Sequence, residues 1–332
     1  MTTAKSDRTL KLGATGPEVF ALGLGCMGMS GVYGATNDDE SVATIEAAID
    51  AGVTLIDTGD FYAMGHNEML VRRALVSRRD KVQISVKFGA MRGPDGSWVG
   101  FDARPAAVKN FAAYSLKRLG VDVIDIYRPA RLDPVVPIED TVGAIAELVK
   151  AGYVRHIGLS EVGAETIRKA HAVHPIVDLQ IEYSLASRSP EAKIFPVLAE
   201  LGISATLYGV FSRGLLTGSR PQAGGDFRAF LPRFAGDAGK ANADRVAKLG
   251  QFAEQRGMTR AQLAIAWVRA KQPGLLPVVG LKTKSQLADA LGAMDKVLSA
   301  ADVQALEALA PASAFEGTRY AAEQMKHLDS ER

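Results

Sequence analysis

The sequence predicts an α/β protein built as a (β/α)8 barrel, and three observations lead there. Eight short apolar runs rich in β-branched residues recur along the chain, at 19–25, 53–57, 82–87, 123–128, 156–160, 177–182, 203–208 and 275–280. Amphipathic stretches follow most of them, and strands that alternate with helices imply a parallel sheet covered by helices. No linker separates two halves, so the 332 residues read as one domain, residues 1–332, rather than two. Eight such units favour a closed barrel over an open doubly wound sheet.

The elements are justified in order. The run at 19–25 ends in Gly23-Leu24-Gly25-Cys26-Met27-Gly28, which fits G-x-G-x-x-G. A dinucleotide fingerprint must open a helix directly. Here Met29–34 carries more loop formers, so the run reads as a first barrel strand ending in a tight turn. A helix is expected over 39–51, with Val42, Ile45 and Ile49 on one face and Asn37 as its cap. Helices are also expected at 105–119, 138–151, 164–174, 191–201, 241–255, 260–271 and 285–293. Gly52, Gly120, Gly152 and Gly202 close four of these as C-terminal stops. The stretch 218–239 reads as an irregular insertion after the seventh strand, and 89–104 as a long loop after the third. Long loops at strand C-terminal ends are where barrel enzymes build substrate sites. The tail after Pro311 is expected to fold back over the barrel mouth.

Composition removes several function classes. Lys and Arg total 39 against 37 Asp and Glu, a net charge of +2, which gives no electrostatic argument for nucleic acid or a membrane surface. The single Cys26 forms no internal disulfide and no thiolate metal cluster. The five histidines show no metal-ligand spacing, so no metal is expected. The N-terminus lacks a signal-peptide core and no apolar run reaches spanning length, so a cytoplasmic location is expected.

Polar residues at the ends of buried strands carry the chemistry. They are Asp57, Lys87, Ser160 with Glu161, Gln180 with Glu182, and Tyr208, with Tyr62 five residues beyond Asp57. A buried lysine near an aspartate forms an ion pair, and a phenol beside that ammonium is expected to have a lowered pKa. Such a phenol can donate a proton while hydride reaches a carbonyl carbon. The alternative reading is a core salt bridge with a packed aromatic beside it.

These residues resemble a known family. Asp57-Thr58-Gly59-Asp60-Phe61-Tyr62 followed by Gly65-His66-Asn67-Glu68 resembles the aldo-keto reductase signature. Val86-Lys87-Phe88-Gly89, Pro137-Ile138-Glu139-Asp140-Thr141, Gly158-Leu159-Ser160-Glu161, Gln180-Ile181-Glu182-Tyr183-Ser184, Arg213-Gly214 and Gly317-Thr318-Arg319-Tyr320 also match. The resemblance spans nearly the whole chain and is nearest to bacterial and plant NADPH-dependent reductases of aldehydes and ketones. It implies a barrel that binds NADPH/NADP+ without a Rossmann domain, a small-molecule carbonyl substrate, and Asp57, Tyr62 and Lys87 as catalytic residues. It implies that Gly25, Cys26 and Met27 line the cofactor, that Ser160 and Gln180 hold the carboxamide, and that Tyr208 stacks on the nicotinamide. Glu161 stands where many members have Asn. Gly209, Val210, Phe211, Ser212, Arg213 and Gly214 are implied to cover the pyrophosphate. Gly280, Lys282, Thr283, Lys284, Gln286 and Asp289 are implied to meet the ribose phosphate.

Two departures stand out. The stretch Arg128-Pro129-Ala130-Arg131-Leu132-Asp133-Pro134 places Ala130 where the family has a catalytic histidine. Either Arg128 or Arg131 is expected to supply the missing positive field, unless Arg131 is a structural ion-pair residue. At the ribose phosphate, Gln286 replaces an arginine and Asp289-Ala290 replaces Glu-Asn, so preference for NADPH over NADH is expected to be loose. Trp98, in the loop after the third strand, is a substrate-pocket candidate. Other readings are a weakly active or inactive NADP(H)-binding subunit, an alcohol or keto-sugar dehydrogenase, and a Rossmann dehydrogenase. The physiological substrate and the oligomeric state are open at this level.

Overall fold

The computed structural model describes residues 8–222 and 226–332. Strands β1 (Thr9–Lys11) and β2 (Glu18–Phe20) form an antiparallel hairpin. Eight further strands close a barrel: β3 (Gly23–Gly25), β4 (Leu55–Gly59), β5 (Gln83–Phe88), β8 (Ile124–Pro129), β9 (Val154–Ser160), β10 (Ile176–Glu182), β11 (Ser204–Tyr208) and β12 (Leu276–Gly280). All their pairings are parallel. Strands β6 (Ala90–Arg92) and β7 (Trp98–Phe101) make a second hairpin beyond β5.

The expected first strand, 19–25, is therefore two strands. Its first half belongs to the hairpin, which closes the N-terminal end of the barrel: Leu12 and Val19 pack against Leu55, Ile126, Val177, Leu276 and Val278. The run is apolar throughout because both halves are buried, so periodicity does not show the break. Strand β3 runs close to its neighbours, since a Cβ at Gly23 would lie 3.1 Å from side-chain atoms of both Leu55 and Val278.

Helices α1 (Asp38–Asp50), α3 (Pro105–Leu119), α4 (Ile138–Lys150), α5 (Ala164–Val173), α6 (Pro190–Leu201), α7 (Gly236–Glu254), α8 (Arg260–Lys271) and α9 (Lys284–Gly292) correspond to the eight expected stretches. The Asn37 side chain accepts from Glu40 N at 2.9 Å and caps α1 as expected. Three helices lie outside the expectation: α2 (His66–Ala74), α10 (Ala300–Leu309) and α11 (Ala322–Met325). Helix α2 escapes a hydrophobic-periodicity reading because its buried face includes Asn67 and Glu68 beside Leu70, Val71 and Ala74. The insertion 218–239 is also more regular than expected, with single helical turns at Phe227–Phe230 and Pro232–Phe234 and the start of α7 at Gly236.

No Gly-x-Gly helix opening follows β3. A single turn at Met27–Ser30 intervenes and α1 starts only at Asp38, so the barrel reading of that glycine run stands. The C-terminal tail crosses the end of the barrel where the strands finish, reaching Glu161 after β9 and Tyr208 at the end of β11.

Candidate active site

Strands β4 and β5 place the central pair. In their register Asp57 lies opposite Ser85 and Gly59 opposite Lys87. The Lys87 Nζ donates to Asp57 Oδ1, with both side chains buried. Ser85 Oγ donates to Asp57 Oδ2 at 2.9 Å and Gln180 Nε2 donates to the same oxygen at 2.8 Å. A buried carboxylate needs this number of donors to stay charged.

Tyr62 sits on the turn that follows β4, with Lys87 Nζ 5.1 Å from its ring centroid. The turn brings the ring back over the strand end, where a Cβ at Gly59 would lie 3.3 Å from the Tyr62 ring. The chain then takes left-handed conformations at Ala63 (φ 46) and Met64 (φ 53), which cost strain for residues with a Cβ. Burial pushes the Tyr62 phenol well above its usual pKa, and the Asp57 carboxylate adds to the rise while Arg131 opposes it. The expected fall is thus not seen. Desolvation of the phenolate is the largest cause, and the Asp57 carboxylate adds to it. The Lys87 pKa is itself lowered, first by burial, against the pull of Asp57.

The lowered phenol is in the tail instead. Burial works against ionisation of Tyr320, but Arg213 and Arg131 outweigh it. The Arg213 guanidinium lies 4.2 Å from the Tyr320 ring centroid. Tyr320 OH is 3.2 Å from Tyr208 OH, and Arg131 Nη2 donates to it at 3.3 Å.

Two glutamates hold the tail and the loop after β11 to the barrel. Glu161, left-handed at φ 54, receives Arg319 Nη1 at 2.8 Å and Nη2 at 2.5 Å, Tyr208 OH at 2.7 Å and Ser330 Oγ at 2.6 Å. Burial alone would raise its pKa, but Arg319 holds it far below the carboxylate range. Glu182 receives Arg213 Nη2 at 2.8 Å and Ser187 Oγ at 2.8 Å, with Arg233 at 3.5 Å.

The other sequence-derived candidates are placed as follows. Arg128 is fully buried inside the barrel, bonded to Asp178 at 3.0 Å, Ser85 Oγ at 3.0 Å and Thr206 Oγ1 at 3.3 Å. It forms a buried ion pair inside the barrel, with its charge felt at Lys87 rather than exposed at the surface. Trp98 lies on the β6–β7 hairpin, 45% exposed, under the Arg92 guanidinium. Ala130 is buried and donates its N–H to Phe88 O at 2.8 Å, next to Lys87. The Arg131 guanidinium folds back onto the Ala130 carbonyl at 2.6 Å.

The residues expected to hold a cofactor divide into two groups. Gly25 and Gly280 are adjacent in the β3–β12 register, and nothing but the Gly25 carbonyl, at 3.9 Å, lies near a Cβ built on Gly280. Beside them Met27 is half-buried, while Cys26 is fully buried with its thiol pKa pushed up by burial, which suits packing. Thr283 caps α9 by accepting from Gln286 N, with Lys282 and Lys284 beside that helix start; Lys282 Nζ donates to Tyr33 O at 2.7 Å. Gln286 instead accepts from Lys282 N at 2.7 Å, and Asp289 receives Thr259 Oγ1 at 2.9 Å, so Asp289 turns toward α8.

In the second group the side chains are engaged within the protein. Gln180 binds Asp57 and Glu161 binds Arg319, while Ser160 is buried at the end of β9 opposite Gln180. After β11, Gly209 (φ 69), Ser212 (φ 46), Arg213 (φ 57) and Gly214 (φ 92) all take left-handed conformations. Within that turn Val210 is buried and Phe211 is half-buried. A Cβ at Gly209 would meet Glu182 at 2.9 Å, so glycine is required there. Sequence reasoning assigns no role to Tyr33, Ser85, Arg233 or Tyr320, although the tail motif containing Tyr320 is visible. Tyr33 is half-buried under Arg228, 5.6 Å from its ring, and desolvation pushes its pKa to about 12. Its position in a glycine-flanked loop gives no periodic signal.

Among the described residues no helix is long and apolar enough to cross a membrane, and no three His, Cys, Asp or Glu side chains are grouped to hold a metal ion.

Comparison with known proteins agrees with this geometry. The model of the aldo/keto reductase family matches residues 21–311. A glycerol dehydrogenase, AKR11B4 from Gluconobacter oxydans, is 25% identical, with a TM-score of 0.83 over 94% of this chain and 99% of that one. The holo form of the aldo-keto reductase AKR11C1 from Bacillus halodurans is 27% identical, with a TM-score of 0.76 over 94% of this chain and 99% of that one.

Proposed function

The chain belongs to the aldo/keto reductase family, whose cofactors are nicotinamide dinucleotides, and from that premise we propose that it is an NADPH-dependent reductase of aldehydes or ketones. The observation that carries the reading is the meeting of Asp57, Lys87 and Tyr62 at the C-terminal ends of β4 and β5. That end of a (β/α)8 barrel is where its chemistry is built.

The reduced dinucleotide supplies hydride to the carbonyl carbon when bound. Tyr62 supplies the proton to the carbonyl oxygen, and its raised pKa keeps that proton in place at neutral pH. Lys87 offers the developing phenolate a positive charge, and Asp57, fixed by Ser85 and Gln180, holds Lys87 in place. The start of α9, with Lys282, Thr283 and Lys284, fits a phosphate group. The glycines at the ends of β3 and β12 fit close approach of a nucleotide to the backbone. Gln180 and Glu161 release their present partners only at a loss, so carboxamide binding falls first to Ser160, with Tyr208 beside it. With Gln286 and Asp289 engaged by backbone and threonine, the lysines alone distinguish NADPH from NADH, and the preference is modest.

Purified protein oxidises NADPH in the presence of aromatic aldehydes, dicarbonyls or keto-sugars, and Tyr62→Phe abolishes the turnover. Tight dinucleotide binding without turnover on any carbonyl points instead to a binding subunit. The likeness to a glycerol dehydrogenase favours a second reading, oxidation of a polyol by the same residues, which NADP+ reduction with polyols tests directly. Tighter binding of NADH than NADPH overturns the cofactor assignment.

A further inference from the structure

Most charges inside the barrel and over its C-terminal end pair off. Lys87 pairs with Asp57 and Arg128 with Asp178. Three arginines, Arg213, Arg233 and Arg319, are balanced by Glu182, Glu161 and Glu331, with Arg319 to Glu331 at 2.8 Å. Arg131 is not paired in this way. Among the described residues no carboxylate lies within ion-pair distance of it, and its two bonds go to the Ala130 carbonyl and the Tyr320 hydroxyl, both formally neutral. Tyr208, Tyr320 and Glu161 favour its charge from a distance, yet no carboxylate forks onto the guanidinium, and a bound anion would supply that fork.

Its location is also fixed. Asp133 accepts from Val135 N at 2.9 Å, from Val136 N at 3.1 Å and from Ala103 N at 2.9 Å, which pins the loop that carries Arg131. The Ala130 N–H bond to Phe88 O seats that loop directly beside Lys87. The guanidinium lies against its own backbone at the Ala130 carbonyl, near enough for its charge to act on the Tyr62 phenol.

Resting on the reductase reading above, we infer that the preferred substrates are aldehydes or ketones that carry a carboxylate, and that Arg131 binds this carboxylate while the carbonyl oxygen faces Tyr62. An arginine fork matches a carboxylate in two parallel bonds. The reaction balances as reduction of the carbonyl to an alcohol: hydride from the reduced nicotinamide dinucleotide adds to carbon, the Tyr62 proton adds to oxygen, and the carboxylate is unchanged. One other anion shares this chemistry, the pyrophosphate of the dinucleotide itself, and the experiment separates the two.

The test compares para-carboxybenzaldehyde with para-formylbenzamide, which differ in charge and little in shape. Wild type is expected to favour the carboxylate in kcat/KM by at least about tenfold. Arg131→Gln is expected to remove that preference, and Arg131→Lys to restore part of it. Equal use of the two aldehydes by wild type, or a preference unchanged in Arg131→Gln, overturns the inference while leaving the reductase reading standing. If Arg131→Gln weakens NADPH binding and leaves the preference intact, the anion is the cofactor's, and the inference is again overturned. Calorimetric titration of benzoate and benzamide into the protein gives a readout without turnover. Binding of benzoate that Arg131→Gln abolishes, in a protein that reduces no carbonyl, supports the anion site and sinks the reductase reading.

Discussion

Arg319, near the end of the chain, forks onto the carboxylate of Glu161 at the end of β9, with its two terminal nitrogens 2.8 and 2.5 Å from the two oxygens. The bond joins residues 158 positions apart and holds the tail across the barrel mouth. It engages both oxygens of the glutamate within the protein. The pair is buried on both sides, so its geometry matters more than its mere presence.

Removing one partner should therefore be expensive. Glu161→Gln is expected to destabilise the fold at neutral pH by about 3 kcal/mol. The folded Glu161 pKa is depressed by Arg319 despite burial, so its contribution is complete above the unfolded pKa of about 4.3 and disappears as pH falls toward the folded value. The gap between wild type and variant, measured by urea denaturation, should be wide at neutral pH and narrow in acid. Arg319→Ala should in addition speed amide exchange in the tail beyond Pro311. Exchange unchanged there would mean that the tail is held by other contacts.

The raised Tyr62 pKa makes a kinetic prediction. A general acid must be protonated, and burial keeps this phenol protonated well beyond neutrality. The kcat for carbonyl reduction should stay flat over roughly pH 6–9, with no alkaline limb from Tyr62 in that window. Tyr62→Phe should lower kcat by about 100-fold or more while leaving dinucleotide affinity near that of wild type. An alkaline limb near neutrality that persists in Tyr320→Phe would contradict the assignment of Tyr62 as a buried, raised phenol.

Ala130, in the segment that follows β8 and bonded to Phe88 beside Lys87, offers no side-chain hydrogen-bond donor, and a single such donor is worth about 2.7–4 kcal/mol in other enzymes. Ala130→His should raise kcat for small neutral aldehydes, provided the ring displaces Arg131 from the Ala130 carbonyl. The same variant should reduce any advantage of carboxylate-bearing substrates, because the guanidinium and the imidazole compete for one region. No gain on neutral aldehydes would show that Arg131 already does the work of the missing ring.

Arg128 is predicted to matter for stability rather than for substrate. Arg128→Met leaves Asp178 with only the Thr206 hydroxyl at 2.7 Å and should destabilise the barrel by about 3–5 kcal/mol. Adding Asp178→Leu removes the stranded carboxylate and should recover much of the loss. A double variant no more stable than the single one would show that Arg128 acts mainly through its bond to Ser85, which in turn holds Asp57.

The barrel and its central pair are legible in the sequence because each depends on local pattern. Buried strands are apolar, and a charged residue inside one, such as Lys87, is conspicuous. What is not legible depends on contacts between distant segments. The split of 19–25 into two strands follows from a hairpin partner at Thr9–Lys11. The engagement of Glu161 follows from a tail arginine, and the burial that raises the Tyr62 pKa follows from side chains on several loops. Simple proximity of an ammonium predicts the wrong direction for that phenol, because burial of the phenolate, with the nearby Asp57 carboxylate adding to it, decides the shift.

Asp60 offers a test of a different kind, at a residue beside the site that the proposed chemistry does not use. Burial, reinforced by the neighbouring Glu68, raises its pKa to about 7. Its Oδ2 accepts from Gly89 N at 3.3 Å, whereas its Oδ1 has no partner. The folded state therefore binds this proton more tightly than the unfolded chain does. Between the unfolded pKa of about 3.9 and the folded value, stability must fall as pH rises. The loss is complete above the folded pKa and amounts to at most about 4 kcal/mol. Asn at this position accepts from Gly89 N in the same way and carries no charge to desolvate. Asp60→Asn should thus raise the melting temperature clearly at mildly alkaline pH and by little in mild acid. An equal gain at both pH values would mean that Asp60 does not titrate in this window, and that Gly89 and the adjacent backbone hold it charged.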